Sequence, residues 1–201
     1  MSKYNFENIQ NNGSKIVCVF GCLLSENGKK FKKEMLSWLT TKYDVICVNQ
    51  EYPGTLYEWP AMKFARQYSI DNNVPVLYVH TKGAFNENKG QEKVRKLWKQ
   101  EFIDNYDWYE NIVLKDPNAV AAPFVADCPH GITWFNGFIA GPDAWKKTNL
   151  DYPSESRWIY EYIFKNCEIN PYSRIISSVN INNCFKRNKP FTDMMQYINN
   201  I

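Results

Sequence analysis

The residues best suited to chemistry in this chain stand at the end of one apolar run. In VPVLYVHTKG, residues 74–83, the apolar stretch Val76, Leu77, Tyr78 and Val79 stops on His80, Thr81, Lys82 and Gly83. An imidazole, a hydroxyl and an ammonium in succession can take up a proton, make hydrogen bonds and neutralise an anion. Gly83 lets the backbone turn directly after them. Four unbroken apolar residues suit a strand buried on both faces, and in open α/β sheets the ligand crevice lies outside the carboxyl ends of the strands. The pattern therefore predicts a central strand, with a phosphate-bearing ligand beside Lys82. The plain alternative is a polar strand exit carrying a solvated lysine.

Other chemistries are narrowed by what the motifs lack. The segment 21–30, GCLLSENGKK, approaches a P-loop, but Gly21 and Gly28 are too far apart and Lys30 stands where a Ser or Thr is required. No G-x-S-x-G nucleophile elbow occurs. His80 and His130 are the only two histidines, so a three-histidine zinc site is impossible, and Asp127-Cys128-Pro129-His130 lacks a firm third ligand. Cys128 and His130 are near neighbours in sequence, which working Cys-His pairs rarely are.

Composition sets the frame for these residues. A chain of 201 residues can build one sizeable core, and its net charge of +3 is spread over scattered lysines and short runs such as Lys29-Lys30, with no stripe for nucleic acid. Seven Trp, thirteen Tyr and twelve Phe exceed the needs of such a core, and surplus rings stack on flat ligands such as bases or sugars. The six cysteines form no C-x-x-C pair and read as reduced. No apolar run approaches the roughly 20 residues that span a bilayer. The expectation is a cytoplasmic protein with no transmembrane segment and no nucleic-acid partner.

The elements that must position the site follow from periodicity. Strands are read at 15–24, 44–49 and 76–79, with helices at 28–41 and 57–70 between them; this alternation argues for parallel strands and right-handed crossovers. A polar loop at 84–91 precedes the clearest helix, 92–113, where Val94, Leu97, Trp98, Phe102, Tyr106, Tyr109 and Val113 recur every three or four residues and Glu101 falls near the apolar stripe. A small-residue strand at 119–125 leads into a glycine- and aromatic-rich wall at 126–145. Helices at 154–165 and 191–198 complete the reading, the first 14 residues being polar.

In this order the pieces resemble a group of bacterial and viral glycosyltransferase-like proteins. Their sequences carry a YE-x-P element, an apolar strand ending in HTKG, a WR helix, a glycine-asparagine-aromatic segment and a late E-x-x-W or E-x-W element. Here these are Tyr57-Glu58-Trp59-Pro60, then Leu77 to Gly83, Trp98-Lys99, Trp134-Phe135-Asn136-Gly137-Phe138, and Glu155 with Trp158-Ile159. Lys99 stands where Arg is usual, and Asn136-Gly137 reverses the usual order.

The resemblance implies a single-domain α/β protein of GT-A-like, Rossmann-like fold, with a mostly parallel sheet flanked by helices. Its nucleotide-binding half would span about 15–125 and its acceptor-side half about 126–201. It implies transfer of a sugar from a nucleotide-sugar donor to a glycan or other hydroxyl acceptor. Glu58, His80, Thr81, Lys82, Gly83, Trp134 and Asn136 would hold the donor, and Glu155 or Asp127 would be the catalytic carboxylate. No Asp-x-Asp occurs anywhere in the chain, so diphosphate charge would fall to Lys82, or to Mn²⁺ or Mg²⁺ held in another way. The alternatives are a catalytically inactive nucleotide- or glycan-binding module of the same fold, or a different α/β hydrolase or nucleotide-processing enzyme.

Overall fold

Near-continuous burial along the apolar runs marks them as strands of one sheet with a core on each face. The computed structural model describes residues 4–10, 13–51, 58–84, 89–126, 132–133, 136–151, 160, 163–164 and 167–173. Among them the strands are β1 (Tyr4–Gln10), β2 (Val17–Leu23), β3 (Asp44–Gln50), β4 (Val76–His80), β5 (Ala119–Ala121), β6 (Val125–Ala126), β7 (Ile132–Thr133), β8 (Phe138–Ala140) and β9 (Asn170–Tyr172). The α-helices are α1 (Glu26–Leu39), α2 (Trp59–Asn72), α3 (Lys89–Lys99), α4 (Tyr106–Lys115) and α5 (Pro142–Lys146).

Seven strands form the main sheet in the order β1-β3-β2-β4-β8-β5-β9, so β4 occupies its middle as expected, while β6 and β7 make a separate ribbon. The expectation of a mostly parallel sheet is corrected. β2 runs parallel to β3 and β4, and β5 to β9, but β1 with β3, β4 with β8 and β8 with β5 are antiparallel. One of these pairs comes from β1 at the sheet edge, and the other two from β8, a three-residue strand from the glycine-rich wall. It takes the place beside β4, pairing Val76 with Ala140, Leu77 with Ile139 and Tyr78 with Phe138.

Successive strand residues point to opposite faces. Cys18, Phe20, Cys22, Leu77 and Val79 pack under α1, α3 and α4, against Met35, Trp38, Leu97, Trp98, Phe102 and Tyr109. Val19, Val76, Tyr78 and Phe138 pack under α2 and α5, against Ala61, Met62, Ala65 and Trp145. All five residues of β4 are buried.

Local chemistry sets the helix ends. Ser25 caps α1 by accepting a hydrogen bond from Gly28 N at 3.0 Å. α2 starts with Pro60 in its first turn and stops at Asn73, whose backbone is left-handed. The helix expected at 92–113 is present, with an interruption. Between α3 and α4 lies a π-helical turn, Gln100–Asp104, in which Asn105 N reaches back to Gln100 O at 3.2 Å. The Tyr43 hydroxyl, itself fully buried, donates to the Phe102 carbonyl of that turn at 2.7 Å. Burial pushes the Tyr43 pKa well up, so the hydroxyl keeps its proton and stays a donor.

β1 is an element the polar N-terminal sequence did not suggest. Its Phe6 stacks on Phe64 at 4.5 Å. Glu7 accepts hydrogen bonds from Lys32 at 2.6 Å and from Asn49 at 3.0 Å, and these bonds hold its carboxyl below the usual range. The helices read at 154–165 and 191–198 lie largely or wholly outside the described residues. Among the described residues no helix is long and apolar enough to cross a membrane.

Replacing Tyr43 by Phe is expected to cost about 0.5–1.5 kcal/mol, because it removes a buried hydrogen bond to the π-helical turn. Urea unfolding would show a lower midpoint with an unchanged slope. An unchanged midpoint would mean that the bond adds nothing to stability.

Candidate functional site

The end of β4 is tied to the end of β2 before any side chain can act. Thr81 N donates to Gly21 O at 2.9 Å, and Leu23 N donates to the Thr81 hydroxyl at 3.0 Å. Ser25, the cap of α1, donates to Ala84 O at 2.8 Å. Within the turn, Lys82 N reaches His80 O at 2.7 Å and Ala84 N reaches Thr81 O at 3.1 Å. Gly83 has φ +92°, and a Cβ there would lie 3.1 Å from Gln91 Cβ and 3.2 Å from Arg95 Nη1. The turn needs glycine both for its backbone angle and for the space. The Thr81 hydroxyl is thus committed to the backbone as an acceptor, and Thr81 shapes the turn that carries its neighbours.

Three separate segments converge on this turn. From α2 comes Glu58, which stands at the helix N-terminus without capping it; its Oε1 lies 3.7 Å from His80 Nε2. The His80 ring stacks towards Tyr78 at 6.2 Å and meets Trp98 of α3 edge-on at 5.4 Å. From the far side comes Asn136-Gly137. A Cβ on Gly137 would fall 2.3 Å from Trp98 Nε1, so only glycine lets the chain pass this close to the indole. β8 pairs with β4 up to Tyr78 and Phe138. Continued past the end of the ladder, that register sets Asn136 level with His80.

These groups are costly where they stand. Glu58, His80, Lys82 and Asn136 are each 9% exposed or less. For Lys82 the figure is 5%, which excludes a solvated surface lysine, since a buried ammonium keeps its charge only beside compensating groups. Asn136 has φ +53°, in the left-handed region, and its amide oxygen, like the Thr133 hydroxyl, is buried with no hydrogen-bond partner among the described residues. Both conditions cost free energy, and such costs gather at functional sites.

Of the residues singled out from sequence, Glu58, His80, Thr81, Lys82, Gly83 and Asn136 are brought to one place. Asp127, Trp134 and Glu155 lie outside the described residues. Arg95 joins the site unforeseen; the signal was a charged residue at an inward position of α3, between Val94 and Leu97-Trp98. Among the described residues no three His, Cys, Asp or Glu side chains stand together as a metal site would need. Glu58 and His80 would be two ligands at most. A hollow lined by Asn8, Val17, Asp44, Val45 and Tyr68 lies elsewhere, at the start of β2 and β3.

Comparison with protein-family models, with curated proteins and with solved structures finds no match to this chain.

The Asn136→Gly variant is expected to keep or raise stability, by up to about 1 kcal/mol, because glycine takes the left-handed backbone freely and buries no amide oxygen. Thermal unfolding reads this directly. A clear drop in melting temperature would make the Asn136 amide a structural group.

Proposed function

We propose that the chain is a glycosyltransferase that moves a sugar from a nucleotide-sugar donor to an acceptor hydroxyl at the end of β4. The observation that carries this reading is the convergence of Glu58, His80, Lys82, Trp98 and Asn136-Gly137, from four segments, on the carboxyl end of the central strand. Ligands in open α/β sheets bind at such strand ends. The same residues carry the resemblance to glycosyltransferase-like proteins.

In the transfer, the acceptor oxygen forms a bond to the anomeric carbon while the bond from that carbon to the diphosphate oxygen breaks. Negative charge grows on the leaving diphosphate, and Lys82 opposes it. The acceptor proton passes to a base. Glu155 and Asp127 are the carboxylates assigned to this step from sequence. The described residues add His80, whose Nε2 lies 3.7 Å from Glu58 Oε1, as a further group that could accept the proton. Asn136 supplies a hydrogen-bond acceptor for sugar hydroxyls, and the buried Trp98 backs His80 and Gly137 from the core side. The resemblance allows Mn²⁺ or Mg²⁺; Glu58 and His80 are the described side chains that could contact one, and a bound cation would further neutralise the diphosphate.

A second reading, a binding module of the same fold without turnover, is favoured by one feature: Glu58, the carboxylate at the end of β4, is engaged by His80.

The Lys82→Met variant, which keeps the buried side chain's bulk and removes its charge, is expected to weaken binding of nucleoside diphosphate sugars on the order of 10-fold or more, about 1.4 kcal/mol. Affinity for the parent nucleosides should not change. Calorimetric titration of both ligand classes checks this, and equal affinity of variant and parent for the diphosphates would remove Lys82 from the site.

A further inference from the structure

We propose that Arg95 is the positioning residue for Lys82, its guanidinium fixing the backbone from which the Lys82 side chain departs. The inference rests on the donor-binding reading above. Arg95 is 2% exposed although it lies on a helix whose sequence, KVRKLWK, is largely charged. Its contacts account for the burial. The guanidinium carbon lies 3.7 Å from the centre of the Phe31 ring, Nε donates to Glu34 Oε1 at 3.2 Å, and Nη1 donates to the Lys82 carbonyl at 2.8 Å. One planar group thus joins α1, through Phe31 and Glu34, to the turn after β4.

The bond to the turn falls at its most constrained point. The carbonyl that accepts from Arg95 belongs to the peptide unit entering Gly83, whose missing side chain leaves room for Nη1. The bond anchors the chain on the carboxyl side of the Lys82 Cα, as the bond from Lys82 N to His80 O does on the other side, so the point from which the ammonium departs is held from both sides. Lysine cannot replace this arrangement. An ammonium has no planar face for Phe31, and its flexible stem offers no fixed fork to serve a carboxylate and a carbonyl together. Glu34 is partly exposed and offsets the guanidinium charge on the side away from the turn.

Inorganic pyrophosphate, which carries the diphosphate and no base or sugar, is the probe for the test. Its affinity would be measured by phosphorus NMR titration for the parent chain, Arg95→Lys, Lys82→Met and the double variant. The expected result is a loss on the order of 10-fold for each single variant, and a double variant no weaker than Lys82→Met alone, because coupled sites are not additive. Parent-like affinity in Arg95→Lys, with Lys82→Met impaired, would overturn the proposal and leave Arg95 as a brace between helices. Losses that multiply in the double variant would also overturn it, since Arg95 would then act independently of Lys82. If Lys82→Met binds pyrophosphate as well as the parent, the donor reading itself fails, and the inference falls with it. Should Arg95→Lys not fold, Glu34→Gln loosens the same guanidinium from α1. A weaker loss that vanishes in the Lys82→Met background supports the proposal, and no loss overturns it.

Discussion

Thr81 closes the central ladder, and the candidate site depends on that closure. A strand buried on both faces can pair its backbone polar groups only with neighbouring strands, and at its last residue that supply ends. Here the gap is met by Thr81 N on Gly21 O and by Leu23 N on the Thr81 hydroxyl, which bind the exits of β2 and β4 to each other. Ser25 extends the tie to the start of α1 through Ala84 O, and Arg95 extends it to α3 through Lys82 O. The turn bearing His80 and Lys82 is therefore held by two strands and two helices. The backbone that carries these side chains is thus fixed by the fold, which is the arrangement binding and catalysis favour.

Against that rigidity stands a concentration of polar cost. A glutamate, a histidine, a lysine, an arginine and an asparagine are all largely buried around the end of one strand, in a chain whose other strand ends show nothing comparable among the described residues. Folding alone does not call for such a cluster, because apolar replacements of similar shape are commonly neutral or stabilising. The left-handed Asn136, whose amide oxygen has no partner among the described residues, sharpens the point, since a glycine would meet the backbone requirement without the polar penalty.

Much of this framework is legible in the sequence, for physical reasons that differ between elements. β4 is plain because four consecutive apolar residues leave no polar face, and Gly83 is plain because a turn must follow. β2, β3, α1 and α2 follow from alternation and spacing. β8 is not legible: three residues between Gly137 and Gly141 carry no periodicity, and their place beside β4 is decided by long-range pairing. β1 escapes because YNFENIQ shows no apolar face and is held by Phe64, Lys32 and Asn49, which lie far away in sequence. The π-helical turn is silent, since Trp98, Phe102, Tyr106 and Tyr109 fit either helical register. For the site, residue types and their order are readable, and burial is not. Lys82 reads equally well as solvated, and Arg95 reads as one more surface charge on α3.

The central claim is that a nucleotide-linked sugar binds at the carboxyl end of β4. Amide hydrogen exchange, recorded with and without each member of a panel of nucleotide sugars and with Mn²⁺ or Mg²⁺ present or absent, tests it most directly. At least one donor is expected to slow exchange in peptides covering 58–62, 76–84 and 136–140 together, since these segments meet at the site. Protection confined to 8–9, 17 and 44–46, around the hollow at the start of β2 and β3, or no protection by any donor, would contradict the claim.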